Sequence, residues 1–367
     1  MLIKFRFLLL FTFIAGCVEP YEFVVHDDEQ TLVVEAFISD KSFSETLLYP
    51  SDGRYFTVKL SNTGDVTNTR PAPVIGAIVE LLSSEGEVLI YTESGTGIYT
   101  LLNNAFKAKM DVTYRLRIVL EDENIYESGW EAMPDIEIPP MGEIGFSETE
   151  KQYYVMEANE WALRTKQVLL ANIHVTENST GETIRYRWTY SRMWVYVAPL
   201  VSTNDPYYRC WATDPYYLNT FGLQIDKAGG YKKDLFYFPT VPNARIFEKF
   251  SVLVTQHAMT ESYFNFWKKM KDQNENSSLT DAPPFNLRTN FMSSTGANAV
   301  SGYFGVTSEQ ATRWYFDRTE LSYSVPNTLR ADCLVVYGPG PPAPECLNCT
   351  QYSFGKATTT KPSWWQP

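Results

Sequence analysis

A chain of 367 residues that is 44% hydrophobic and 20% charged, with no second long apolar stretch after residue 17, has the composition of a water-soluble body. Its formal charge of −12 becomes −14 once residues 1–16 are removed, because they hold Lys4 and Arg6 and no acid (−12 − 2 = −14). Nucleic acids and anionic membranes are met by basic patches, so this balance argues against both.

The N-terminus comes first and says most. Lys4 and Arg6 precede an apolar run from Phe7 to Phe13, followed by Ile14-Ala15-Gly16-Cys17. A positive start, a short apolar middle and a small-residue cleavage site make a secretory signal. A cysteine directly after the small residues is what a bacterial lipoprotein signal peptidase acts on, so Cys17 is expected as a lipidated mature N-terminus. The alternatives are an ordinary signal with a chance cysteine and a transmembrane anchor, but the run falls far short of the roughly 20 apolar residues that span a bilayer. Residues 17–30, with Glu19, Pro20, Glu22 and Asp27-Asp28-Glu29, are expected as a lipidated tether.

From Thr31 onward short β-type runs follow one another: Thr31 to Ile38, Tyr55 to Asn62, Val74 to Leu82, Glu87 to Thr92, Ile98 to Leu102, Thr113 to Leu120 and Ile125 to Trp130. Gly86, Gly95, Gly97 and Asp122-Glu123-Asn124 mark reversals. Between Thr113 and Leu120, Tyr114, Leu116, Ile118 and Leu120 alternate with Thr113, Arg115 and Arg117, which assigns one face to a core. This spacing predicts a mainly β fold, with an immunoglobulin- or transthyretin-like β-sandwich over residues 31–132. Pro134, Pro139 and Pro140 then predict an extended linker at 133–142.

A second β-rich domain is expected over 143–337. Gln167 to Thr176 and Thr183 to Ser191 flank Glu177-Asn178-Ser179-Thr180-Gly181 and read as a hairpin. Phe250 to Gln256 reads as another strand. The period then changes: Tyr263, Phe266, Trp267 and Met270 fall three to four residues apart, predicting an amphipathic helix near 260–274. Val300 to Val306 and Thr312 to Phe316 return to strand character.

Beyond Cys17 there are four cysteines, Cys210, Cys333, Cys346 and Cys349, an even number in an exported chain, which favours structural disulfides with three pairings open. Cys346-Leu347-Asn348-Cys349 also admits a redox or zinc reading, which the absence of nearby histidines disfavours. The tail at 338–367, rich in proline and glycine at its start, is expected to be pinned by these disulfides rather than by ladder hydrogen bonds.

Several segments in this order resemble the lipoproteins of domain-of-unknown-function family 4249. They are the Cys17 site, Leu32-Val33-Val34-Glu35, Gly76-Ala77-Ile78-Val79-Glu80-Leu81 leading to Gly97-Ile98-Tyr99, Glu261 to Trp267, Val300-Ser301-Gly302-Tyr303-Phe304, and Cys346 to Cys349 followed by Lys361-Pro362-Ser363-Trp364-Trp365. The resemblance implies location and company: an outer-membrane anchor in Gram-negative bacteria that display lipoproteins on the cell surface, often encoded beside TonB-dependent receptors. Surface-export signals tend to place an acidic pair soon after the cysteine, whereas Val18-Glu19-Pro20 offers one acid.

Chemistry is harder to find than packing. His26, His174 and His257 are accompanied by no serine elbow, paired-histidine zinc motif or phosphate loop, so no catalytic residue, metal or cofactor is assigned. The aromatic run from Tyr186 to Tyr217 is the stronger candidate, because aromatic faces stack on sugar rings and dominate interfaces. Tyr186, Trp188 and Tyr190 alternate as a core strand would. Asp205-Pro206-Tyr207-Tyr208 and Asp214-Pro215-Tyr216-Tyr217 read as loops, making Tyr207, Tyr208, Trp211, Tyr216 and Tyr217 the expected recognition edge. Two functions follow. One is a lipid-anchored binding accessory of a TonB-dependent transporter, not an enzyme, with its ligand unidentified; the other is a surface hydrolase acting on a polymer.

Overall fold

The computed structural model describes residues 31–63, 71–157, 159–275, 289–295, 299–335 and 340–366. Among them are eighteen strands. In the first half these are β1 (Leu32–Ser39), β2 (Thr57–Asn62), β3 (Ala72–Pro73), β4 (Ile78–Ser83), β5 (Val88–Gly95), β6 (Ile98–Thr100), β7 (Tyr114–Val119) and β8 (Ile125–Ser128). The second half adds β9 (Ile144–Glu157), β10 (Glu160–Val175), β11 (Ile184–Val197), β12 (Arg209–Thr213), β13 (Gly222–Asp226), β14 (Tyr231–Pro239), β15 (Lys249–Ala258), β16 (Phe291–Ser293), β17 (Val300–Asp317) and β18 (Lys356–Thr358). Helices α1 (Phe43–Thr46), α2 (Glu261–Glu275), α3 (Leu329–Leu334) and α4 (Pro344–Leu347) are short except α2. The fold is mainly β, as the strand spacing predicts.

One sheet runs β16-β8-β7-β4-β5-β6-β2-β1-β17-β15-β11-β12-β18, and a second runs β14-β10-β9. In the first half the inward residues of β1 and β2 (Leu32, Val34, Val58, Leu60) meet those of β4 and β7 (Val79, Leu81, Leu116, Ile118) in one core. Phe291, Phe304 and Val306 complete that core from far along the chain. The pairing of β1 with β17 is parallel, in register from Leu32 opposite Val300 to Ser39 opposite Thr307. Residues 300–306 thus belong to the first core although the linear division at 133–142 assigns them to the second. The linker itself is packed: Met133 joins the first core, Ile136, Ile138 and Met141 lie against the second, and Gln310 Nε2 donates to the Pro139 carbonyl at 3.1 Å.

The second core lies between the β9-β10-β14 sheet and the face of β11, β15 and β17 that carries Trp188, Val252, Val254 and Phe316. The expected hairpin of residues 167–176 with 183–191 does not form. Instead β10 pairs with β9 and β14, and β11 with β12, β13 and β15. Both strands direct apolar rows at the same core, Leu169, Ala171 and Ile173 from one side and Ile184, Tyr186 and Trp188 from the other. The turn between them therefore crosses from one layer to the other; Asn178 braces it, accepting from Thr180 N–H at 3.1 Å and donating to the Glu182 carbonyl at 2.7 Å.

Residues 300–306 and 312–316 are one strand rather than two. Thr307 to Ala311 looks like a break because it is polar, yet Thr307 pairs with β1 and Ser308 to Ala311 with β15, with Thr307 1% and Glu309 2% exposed. Helix α2 forms where predicted and buries Tyr263, Phe264 and Phe266. Gly305 makes room for it: a Cβ there would come within 2.3 Å of the Tyr263 ring.

Beyond the end of β14, residues 150–157 and 160–167 continue as a two-stranded ribbon. At about 3.3 Å per residue this arm reaches on the order of 25 Å past the sheet. Trp161 lies opposite Met156, and Leu163 opposite Tyr154, so the four share one face, with Trp161 67% and Tyr154 71% exposed.

Candidate functional site

In antiparallel strands directly opposed residues share a face. The register sets Thr189 opposite Thr255 and Ser191 opposite Leu253, while His257 faces Glu309 and Leu253 faces Arg313. This row lies on the side of the sheet away from the second core, and it is polar where the other is aromatic. Three pieces of chain cover its margins: the segment from Asp40 to Arg54, helix α2, and the C-terminal Trp364-Trp365. Between them lies a cleft of about 380 Å³ with Thr189, Ser191, Leu253 and Thr255 on its floor.

The margins are built locally. Ser42 and Glu45 close a capping box on α1, with Glu45 N–H donating to Ser42 Oγ at 3.2 Å and Ser42 N–H to Glu45 Oε2 at 2.9 Å. Arg54 N–H then donates to Thr46 Oγ1 at 2.9 Å, and the turn before it uses Gly53 at φ 76°. At the opposite margin Trp365 is buried among Val195 and Val197, and Tyr315 Oη donates to the Trp364 carbonyl at 3.1 Å.

Two charged clusters line the cleft. In the first, the Arg54 guanidinium pairs with the Glu309 carboxylate and lies over the Phe37 and Phe56 rings, at 4.8 and 5.2 Å from their centres. Glu309 N–H donates to Asp40 Oδ1 at 2.7 Å. Burial pushes the Glu309 carboxyl up, and Arg54 pulls against it. Burial, helped by the charges of Arg187 and Arg54, holds the adjacent His257 imidazole well below its ordinary range, so it is neutral; its Nδ1 lies 3.2 Å from Thr307 Oγ1. In the second cluster Arg313 donates to the Pro50 carbonyl and, at 3.2 Å, to Ser251 Oγ, and stacks 3.7 Å from the centre of Trp364. Trp364 Nε1 donates to Asp52 Oδ1 at 2.7 Å. Burial lowers the Arg313 guanidinium to about 10, which still leaves it charged at neutral pH.

The expected site residues are dispersed. Cys17 and His26 lie outside the described residues, and His174 is exposed on β10. Cys210 bonds Cys349 and Cys333 bonds Cys346, so the two cysteines of the Cys346–Cys349 pair go to different partners, unlike a redox or zinc pair. The tail they pin also adds a three-residue ladder, β18 on β12, which its composition hides. Tyr207 is 49% and Tyr216 85% exposed. Tyr217 instead packs in the second core, with Arg245 at 4.0 Å over its ring and Trp194 and Phe250 at its edges. Tyr208 and Trp211 pack beside Trp364 and Trp365. The five thus form no continuous edge, because each Asp-Pro-Tyr-Tyr turn sends its second tyrosine inward. Tyr186, Trp188 and Tyr190 are core, as their alternation predicts.

Sequence reasoning missed Arg54, Glu309, Arg313 and Trp364. The one signal for them was the polar stretch Thr307 to Ala311, set between two apolar half-strands, where a break was read instead of a lined cleft.

Residues 18–313, well over half of the chain, match the model of the family described as Domain of unknown function (DUF4249), and the chain belongs to that family. No curated protein matches it.

Proposed function

We propose that this chain is an exported, lipid-anchored binding protein of the outer membrane that holds a small ligand in the seam cleft and serves as accessory to a TonB-dependent barrel. The observation that carries the binding reading is the division of labour among the cleft's polar groups. Glu309 and His257, the groups best suited to proton transfer, are buried and engaged with Arg54 and Thr307, whereas the floor hydroxyls and part of the Arg313 fork face the cavity without partners among the described residues. Such a set holds a ligand more readily than it turns one over. The signal ending at Cys17 and the two disulfides support export into an oxidising compartment.

The arm supports the accessory role. A two-stranded ribbon standing off its sheet is marginal alone, and an exposed face of Trp161, Met156, Leu163 and Tyr154 gains by contact with a partner. The test is a pull-down of the tagged full-length protein from detergent-solubilised outer membrane. Wild type is expected to bring down a TonB-dependent barrel, and a Trp161→Ser, Leu163→Ser variant to lose it while melting as wild type does. A wild-type protein that comes down alone contradicts the accessory role. Incorporation of labelled fatty acid by wild type and not by Cys17→Ala checks the anchor.

A further inference from the structure

We infer that the cleft ligand is an oxyanion carried on a small hydroxyl-bearing body, the chemistry shared by sugar acids, hydroxycarboxylic acids and sugar phosphates. The inference rests on the binding reading above and names what is bound.

The first observation is charge. The guanidinium groups of Arg54 and Arg313 and the carboxylates of Asp52 and Glu309 meet at the cleft among the described residues, whereas Arg192, opposite Val252, sends its side chain to the second-core face of the sheet. Arg54 and Glu309 neutralise each other. Arg313 has no ion-pair partner among the described residues, and Asp52, which accepts from the Trp364 indole, keeps its charge nearby. These four charges balance, so what the cleft offers an anion is the unpaired Arg313 donor rather than a net positive field. Unpaired guanidinium groups held partly out of water are costly to maintain, and an incoming anion removes that cost.

The second observation is geometry. Arg313 is fixed on three sides, through Nε to Pro50, Nη1 to Ser251 and its face to Trp364, which leaves Nη2 without a partner among the described residues. A planar donor group held this way is ready for a carboxylate or phosphate before the ligand arrives.

The third observation is the floor. Thr189, Ser191, Thr213 and Thr255 line the cleft with side-chain hydroxyls that make no hydrogen bond among the described residues. Each is both donor and acceptor, the pattern that matches ligand hydroxyls. At about 380 Å³ the cavity lies near the low end of ligand sites, suited to one or two small rings rather than a long polymer.

The test is calorimetric titration of the mature protein with glucuronate, galacturonate, citrate and glucose phosphate, beside neutral glucose and galactose. Acidic probes are expected to bind at least about tenfold more tightly than neutral ones, and Arg313→Gln to remove that preference. Thr255→Val, which deletes one hydroxyl at nearly constant shape, is expected to weaken acidic and neutral probes together. Should Arg313→Gln fail to fold, salt replaces it: wild-type affinity for acidic probes should fall as ionic strength rises while that for neutral probes holds. Equal affinity for acidic and neutral probes overturns the inference and leaves the binding reading standing. Binding of neither set also overturns it, and the binding reading is then decided by the ligand carried from the native membrane, which needs no chosen probe.

Discussion

Replacing Arg54 by Met tests the seam directly, because it removes one partner of an ion pair whose other member cannot reach water. The Glu309 side chain is 2% exposed and that of Arg54 32%. Leaving a buried charge uncompensated costs about 3–5 kcal/mol, and partial exposure of Arg54 places this pair near 3 kcal/mol. Loss of the contacts with Phe37 and Phe56 adds roughly 0.5–1 kcal/mol. For a body of this size, that is a fall in melting temperature of about 5–6 °C. The pH dependence fixes the cause. Burial already raises the Glu309 carboxyl above its ordinary 4.5, and without Arg54 it rises further. Below the unfolded value both states are protonated and nothing is lost. As pH rises toward the folded value, the unfolded chain releases a proton that the folded chain retains, and stability falls by about 1.4 kcal/mol per pH unit. The deficit of Arg54→Met should therefore be larger at pH 8 than at pH 5 by chemical denaturation, and Glu309→Gln in the same background should recover much of it. A variant that melts like wild type at pH 8, or whose deficit grows toward acid, refutes this reasoning.

Three further outcomes are expected. Cys210→Ser opens a closure spanning 139 residues and Cys333→Ser one spanning 13; loop entropy puts their costs at about 5 and 3 kcal/mol, so a reversed order in denaturant titration would contradict the pairing. Tyr217→Ala should cost about 3–5 kcal/mol as a core aromatic, while Tyr216→Ala stays within about 0.5 kcal/mol as a surface change; equal melting shifts would undo the assignment of one inward and one outward. Gly305→Ala should destabilise by about 1–3 kcal/mol through collision with Tyr263, and Tyr263→Leu in the same protein should relieve part of the loss if that ring is the obstacle.

Periodicity showed which way side chains face and not which strand lies alongside. Tyr114 to Val119 was legible because Leu116 and Ile118 are fully buried and Arg115 and Arg117 are not. The alternation in β11 was equally clean and β10 was evidently strand-like, yet these patterns describe two layers sharing a core as well as they describe a hairpin. Strand β17 was divided because Glu309 and Gln310 look like a loop, and only its neighbours supply the partners, Arg54 and Pro139, that let such residues stay in a ladder. The cleft was illegible for the same reason. Arg54, Thr189, Thr255, Arg313 and Trp364 are scattered over most of the chain, and they meet because β17 pairs with β1 on one edge and β15 on the other. The tyrosines misled differently: Asp205 and Asp214 brace identical turns, accepting from Tyr207 and Tyr216 N–H at 2.8 Å each, and what lies behind each turn decides which ring is exposed.

The central claim is that the seam cleft holds a ligand. Native mass spectrometry of full-length protein taken gently from its own membrane, wild type beside a Thr255→Val, Arg313→Gln variant, tests it most directly. A small acidic species is expected to be retained by wild type and absent from the variant. The same species retained by both, or wild type emerging with nothing bound, would contradict the claim.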